Sequence, residues 1–170
     1  MGETFTFTVI FDSSGLNPTG YGPFMDVVLD TGGADLGSVD GTNAPQPCDG
    51  IYFVGAKVVN VNPVLDLSAG NQVTQATAPC PMTPPSSLPA LNHPYGNLPG
   101  NPTHPFGPVT VRPGATLLTL NLPLGSFQFT QPLIVVEITA RVHEFADEGT
   151  PLLINARGGY RYGDDALDNP

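Results

Sequence analysis

Charge is scarce in this sequence, and positive charge is the scarcest. Asp, Glu, Lys and Arg make up 12 % of the 170 residues, about half the usual share. Fifteen acidic residues face five basic ones, the formal net charge is −10, and Lys57 is the only lysine. This balance argues against nucleic acid and anionic membranes as partners, since both are bound largely through Lys and Arg.

Long apolar runs are also missing. No stretch reaches the roughly 18 consecutive apolar residues that a membrane-spanning helix needs. The opening "MGETFTFTV" has neither the basic start nor the apolar core of a secretory signal peptide. We therefore expect no membrane insertion, and we interpret residues 1–170 as one domain taken from a longer multidomain protein.

The sequence contains no Gly-x-Ser-x-Gly elbow, phosphate loop, dinucleotide fingerprint or His-Glu-x-x-His pair. His143–Glu144 and Asp147–Glu148 form a polar cluster, for which we favour a solvated turn over an acid–base role. A Lys–Asn cross-link promoted by a carboxylate is an alternative chemistry for Lys57, Asn155 and Glu137. Because Glu137 falls on the polar side of its strand, we disfavour it and predict that the protein is not an enzyme.

The sequence is rich in strand patterns. In "ETFTFTVIFD" threonines alternate with an apolar set, Phe5, Phe7, Val9 and Phe11. "QPLIVVEITARVHEF" places a second apolar set on one face, Ile134, Val136, Ile138, Ala140 and Val142. The polar "NQVTQAT" is typical of a sheet edge. About 8–9 strands are visible and no helix is, while glycine and proline number 20 each and mark turns. We predict an all-β sandwich with Greek-key links.

One segment, residues 78–108, interrupts the strands. It holds ten of the twenty prolines and no charged residue. Proline cannot donate to a sheet ladder, so we predict an inserted loop without strands. Its large apolar side chains favour an ordered cover that packs back onto the sheet, and a recognition surface or plain disorder are the alternatives.

This insertion contains a near-repeat, His93-Pro94-Tyr95-Gly96 followed by His104-Pro105-Phe106-Gly107. We predict two aromatic turns that dock on the sandwich, and His93, Tyr95, His104 and Phe106 are candidate binding residues. Two histidines are too few for a stable zinc site, which needs three or four ligands.

The two cysteines flank predicted strands. Cys48 precedes the strand at 50–61 and Cys80 follows the strand at 73–77. If these strands pair antiparallel, both cysteines lie at the same end, and we predict a Cys48–Cys80 disulfide. A disulfide indicates an oxidising compartment, and two buried free thiols are the alternative.

The order of motifs resembles the conserved-repeat, Ig-like domains found in tandem in large bacterial and archaeal surface proteins. "DGIYFVGA" at 49–56, the turn Pro113-Gly114-Ala115 and the closing residues 164–169 carry the likeness, which covers most of the chain except 78–108. The resemblance implies an Ig-like β-sandwich that serves as a stalk or adhesion module. It also implies an extracellular or cell-surface location, with neighbouring domains as partners.

The ending "GYRYGDDALDNP" is a dense acidic run. It is similar to the calcium-binding linkers between cadherin domains. Calcium prefers six to eight oxygen ligands, and Asp164, Asp165, Asp168 and Asn169 supply up to four side-chain donors. Asp12, Asp26 or Glu3 are candidates to complete the site. A calcium ion at this junction is our prediction, and a solvated tail is the alternative.

Two functions follow from these patterns. The first is a non-catalytic structural or adhesive module of a surface protein, with glycans or other surface proteins as further candidate partners. The second is a carbohydrate-binding sandwich that uses exposed tyrosines as a sugar platform. The candidates for that platform are Tyr21, Tyr52, Tyr95, Tyr160 and Tyr162. The lack of tryptophan, which stacks best on sugars, weakens the second hypothesis.

Overall fold

The computed structural model describes residues 2–12, 19–30, 50–80, 87–96, 108–144, 146 and 151–161. Within these ranges the chain forms 12 β-strands and no helix, so the predicted all-β class is confirmed. The long strands are β1 (Thr4–Phe11), β3 (Pro23–Leu29), β4 (Ile51–Val58), β6 (Val73–Thr77), β9 (Thr116–Asn121), β11 (Ile134–Val142) and β12 (Ile154–Tyr160). The two-residue strands are β2 (Gly20–Tyr21), β5 (Leu65–Asp66), β7 (Ala90–Leu91), β8 (Val109–Thr110) and β10 (Ser126–Phe127).

Two antiparallel four-stranded sheets form a β-sandwich. Sheet one has the order β1-β11-β4-β5, and sheet two has the order β12-β3-β9-β6. Short pairs β2–β10 and β7–β8 lie beside them. Successive long strands cross between the sheets, from β1 to β3 and back to β4, as in Greek-key folds. The polar β6 is an edge strand, as its sequence predicts.

Side-chain alternation builds the core between the sheets. On β11, Ile134, Val136, Ile138 and Ala140 are buried and face β3 and β9 of the other sheet. On β1, Phe5, Phe7 and Val9 are partly buried and Phe11 is buried. Period-two alternation places every second residue on one face, so the predicted inward sets are confirmed from Phe5 to Phe11 on β1 and from Ile134 to Ala140 on β11. Val142, the last residue of the predicted β11 set, is only partly buried.

Sheet two is covered on its outer face by a third layer. Leu91 and Val111 pack there with Ala78, Ala115 and Leu117 to form a second apolar cluster. The cover comes from the proline-rich segment and from the β7–β8 pair. This explains why β3 is buried on both faces, with six of its seven residues buried.

The prediction that residues 78–108 contain no strand is wrong for Ala90–Leu91, which pair with Val109–Thr110 as β7 and β8. Neither of these two residues is proline, so both have a backbone N–H group that can join a sheet ladder. The Val111 N–H group also donates to Pro89 O. Leu91 is buried as a cover residue should be, whereas Leu88 is 58 % exposed.

The two ends of the sandwich differ in which strands start there. At the upper end β1 and β12 begin, while β3 and β11 end; Thr4 lies opposite Arg141, and Ile154 opposite Leu29. At the lower end β1 and β12 finish, and the Phe11 and Tyr160 rings meet edge to face with centroids 5.6 Å apart. The first and last described strands therefore start together and run the same way in opposite sheets.

No helix in the described part of the chain has the length and apolar character required to span a membrane.

Candidate functional site

A single carboxylate lies buried at the centre of sheet two. Asp26 stands in the middle of the apolar strand "PFMDVVL", and it is 2 % exposed. The alternation that turns Met25 and Val27 toward the sandwich core turns Asp26 outward, beneath the proline-rich cover. A charge in such a position is stable only if neighbouring groups donate hydrogen bonds to it.

Three side chains supply those hydrogen bonds. Strand register places Arg157 of β12 and Thr119 of β9 directly opposite Asp26 on its two sides. Arg157 Nε donates to Oδ2 over 2.8 Å, and the Thr119 hydroxyl donates to Oδ1 over 2.9 Å. His93 Nε2, from the cover, lies 2.9 Å from the same Oδ1. We call these four residues the Asp26 cluster.

The hydrogen bonds of His93 define its tautomer. The backbone N–H of Tyr95 donates to Nδ1 over 3.1 Å, so Nδ1 carries no proton. The proton of the neutral ring is therefore on Nε2, which donates to Asp26. Both ring nitrogens are used and the side chain is 0 % exposed, so His93 positions the cover and is not presented to a ligand.

The first His-Pro-aromatic-Gly turn docks on the sandwich as predicted. Gly96 N–H donates to His93 O over 2.9 Å and closes the turn. The rings of His93 and Tyr95 contact Phe24 with centroids 5.1 and 5.2 Å away, and the Arg161 guanidinium lies 4.9 Å from the centroid of the Tyr95 ring. The second turn, with His104 and Phe106, lies outside the described residues.

The Asp26 cluster resembles a catalytic dyad in its residue types but not in its hydrogen-bond pattern. A nucleophile is activated when the histidine accepts its proton, whereas the Thr119 hydroxyl donates to Asp26 instead. Thr119 is 1 % exposed, so a substrate has no access to its hydroxyl. The arrangement fixes the cover onto three strands of sheet two.

A second buried carboxylate lies at the upper end of the same face. Asp30 follows β3 and accepts a bond from Arg112 Nη1 over 3.1 Å. A groove of about 400 Å³ runs between the two arginine–aspartate pairs. Val28 and Asn155 of sheet two line the groove from below. Its other lining residues include Leu88, residues 109–111 and Leu153.

The structure does not bring together the residues of the Lys–Asn cross-link, the alternative that the sequence disfavours. Lys57 Nζ lies 2.8 Å from Glu137 Oε1 in an exposed ion pair on sheet one. Asn155 belongs to sheet two, where it lies opposite Val28. Since the two sheets face each other across the core, these three side chains do not form one site.

The tyrosines described by the structure are distributed over separate places. Tyr160 packs against Phe11 in the sandwich core, and Tyr95 packs on Phe24 under the cover. Tyr52 is 46 % exposed on sheet one, beside His143. Tyr162 lies outside the described residues. The sugar-platform hypothesis gains no support from these positions.

The premise behind the predicted disulfide is wrong, because β4 belongs to sheet one and β6 to sheet two. The start of β4, which Cys48 precedes in the sequence, and the end of β6, which Cys80 follows, nevertheless both lie at the upper end of the sandwich. Ile51 N–H donates to Asp30 O, Arg112 binds the Asp30 carboxylate, and Gly114 N–H donates to Pro79 O. In the described ranges no cysteine is free. Cys48 lies outside them, so the Cys48–Cys80 pairing stays a prediction.

The predicted calcium ligands Asp164, Asp165, Asp168 and Asn169 also lie outside the described residues. Of the residues proposed to complete that site, Glu3 lies at the upper end, and Asp26 is already occupied by its three donors. Asp12 follows β1 at the lower end, where β12 also finishes. Among the residues that are described, no group of three or more His, Cys, Asp or Glu is placed to hold a metal ion.

Sequence reasoning missed Thr119 and Arg157 altogether and considered Asp26 only as a calcium ligand. The available signal was one acidic residue in the middle of a strand that is otherwise apolar. Such a residue must find partners elsewhere in the chain. Here the partners are 67, 93 and 131 residues away, so no local pattern identifies them.

Comparisons with protein-family models, curated proteins and solved structures found no match to this chain.

Proposed function

We propose that this protein is a non-catalytic structural or adhesive module of an extracellular or cell-surface protein, and that it transmits tension between neighbouring domains of the same polypeptide. The observation that carries the proposal is the placement of the first and last described strands. β1 begins at the upper end of the sandwich, and β12 finishes at the lower end. A module with this geometry connects to its neighbours end to end.

The pairing of these two strands suits a load along the sandwich. Tension pulls the start of β1 upward against β11, with which it pairs over eight residues, Thr4–Phe11. It pulls the end of β12 downward against β3, with which it pairs over Ile154–Tyr160. The hydrogen bonds of an antiparallel pair lie perpendicular to the strands. Tension therefore shears each set together and does not open it one bond at a time.

The polar interior supports a structural role as well. The ionisable groups buried between sheet two and its cover, Asp26, Asp30 and His93, all make hydrogen bonds or ion pairs with neighbouring elements. These contacts join the cover, β3, β9 and β12. Groups used in this way add stiffness, and none of them is presented to a substrate in the described region.

The Ig-like relationship to repeat domains of bacterial surface proteins, the disulfide at the upper end and calcium at the C-terminal junction belong to the same proposal. They are supported by the strand and turn motifs, by the meeting of the flanking segments at the upper end, and by the acidic ending. Together they predict a stiff, oxidised domain in a tandem array. The extracellular location follows from these features together.

The proposal is tested by pulling the protein from its two termini in a single-molecule force experiment. We expect one cooperative rupture of the whole sandwich at high force. Gradual extension at low force, without a distinct rupture, would contradict a load-bearing role.

A further inference from the structure

The groove on the outer face of sheet two has the features of a peptide-binding site. Its rim exposes two apolar side chains, Leu88 at 58 % and Leu153 at 49 %. Polar groups lie at both of its ends, where Arg157 and Arg112 bind their aspartates. An apolar centre between two fixed polar groups is the usual composition of a specific ligand site.

The charges that reach the groove surface are positive. The side chains of Arg112 and Arg157 are 50 % and 53 % exposed, whereas those of Asp30 and Asp26 are 6 % and 2 % exposed. Arg157 uses Nε for Asp26, and Arg112 uses Nη1 for Asp30, so within the described residues their other nitrogens are left to bind an acceptor. Buried carboxylates thus hold two guanidinium groups in place for an anionic ligand.

The spacing of these pairs matches an extended chain. Asp26 and Asp30 are four residues apart along β3 and its end, which corresponds to about 13 Å. In a β-strand, side chains at positions i, i+2 and i+4 lie on one face over the same span. Two carboxylates at i and i+4, with an apolar residue between them, therefore have the same spacing along a strand as the two aspartates that hold the guanidinium groups.

Among the residues that the structure describes, none pairs with the outer backbone edge of the neighbouring strand β12. This strand is the outermost strand of sheet two in the described structure. Because Asp30 N–H donates to Leu153 O and Arg161 N–H donates to Gly22 O, odd-numbered residues of β12 pair with β3. The N–H and C=O groups of Ile154, Ala156 and Gly158 therefore point away from the sheet, where another strand can pair with them.

We propose that this groove and the edge of β12 bind an extended peptide from another protein. The peptide carries Asp or Glu at positions i and i+4 and an apolar residue at i+2. It adds one strand to sheet two, and its three groove-facing side chains lie beside Arg157, Asn155 and Leu153. This site goes beyond the load-bearing role and does not depend on it, since it concerns the face of the domain and not its ends.

The proposal is tested with the full chain and a fluorescent peptide of sequence Thr-Asp-Thr-Val-Thr-Asp-Thr with blocked termini. We expect saturable binding that weakens about tenfold or more when both Asp are changed to Asn, since a charge-assisted contact is lost at each end. A peptide with the two Asp three residues apart should bind as weakly. N-methylation on the peptide edge that faces β12 should abolish binding, and N-methylation on the opposite edge should not.

Variants of the protein locate the site. Leu153→Asp and Leu88→Asp place a negative charge at the rim and should weaken binding, while Ile10→Asp, 57 % exposed on sheet one, should not. Melting temperatures equal to that of the unchanged protein show that all three variants are folded. Absence of saturable binding to the folded protein, equal binding of the Asn peptide, or an equal effect of Ile10→Asp would each overturn the proposal.

Discussion

His93 Nε2 lies 2.9 Å from Asp26 Oδ1, and the two side chains are 0 % and 2 % exposed. The contact joins the proline-rich cover to the central strand of sheet two across 67 residues of sequence. Because the same carboxylate also accepts bonds from β9 and β12, one aspartate connects four segments of the chain.

Changing Asp26 to Ala should therefore destabilise the protein more than changing His93 to Ala. Loss of the carboxylate leaves three donors without their acceptor, and we expect a loss of roughly 3–5 kcal/mol, as for other broken buried pairs. Loss of His93 removes one of three donors and should cost roughly 1–3 kcal/mol. Urea unfolding measures both values.

The control for this pair is Glu137→Ala, which breaks the exposed contact with Lys57. The Glu137 and Lys57 side chains are 33 % and 47 % exposed, so the free energy of unfolding should fall by less than about 1 kcal/mol. Equal losses for Asp26→Ala and Glu137→Ala would contradict the central place of Asp26.

The alternating strands could be predicted from sequence because their signal is local. β1 and β11 each have one buried face, and alternation reveals it within a few residues. β3 is buried on both faces, so its apolar sequence indicates only that the strand is buried and not which face meets which layer. The third layer and the partners of Asp26 depend on contacts between distant segments, and the pairing partners of β4 and β6 depend on topology. Local patterns do not encode either.

A methyl group at Gly159 should disturb the packing of the cover. A Cβ there would lie 2.6 Å from the Phe24 ring, which contacts His93 and Tyr95. We expect Gly159→Ala to lower stability by roughly 1–3 kcal/mol through overpacking. The matched control is Gly125→Ala, where a Cβ would meet nothing within 4 Å. Thermal unfolding of both variants checks this, and equal melting temperatures would refute it.

Thiol titration under denaturing, non-reducing conditions should find no free cysteine. The segments that flank Cys48 and Cys80 meet at the upper end through Asp30, Arg112 and Gly114. Reduction should lower the free energy of unfolding by roughly 3–4 kcal/mol in the loop-entropy model. Two reactive thiols before reduction would show that the bond does not exist.

Calcium should raise the melting temperature if the acidic ending binds it in the folded state alone, by mass action. The measurement compares millimolar calcium with chelator, for this domain and for a two-domain protein in which a neighbour follows residue 170. The control changes Asp164, Asp165 and Asp168 to Asn together and should abolish the shift. If neither protein shifts with calcium, the ending is a hydrophilic spacer.

The unfolding force measured in two pulling directions tests the load-bearing role most directly. Handles at the two termini shear β1 against β11 and β12 against β3, whereas handles at Gly2 and Glu144 open the β1–β11 pair from its upper end. Both attachments use chemistry that leaves the cysteines untouched. Because forced unfolding reports the barrier along the pulled direction, we predict a several-fold higher rupture force from the termini. Equal forces in the two directions, or a weaker rupture from the termini, would contradict the proposal that this sandwich is built to transmit tension.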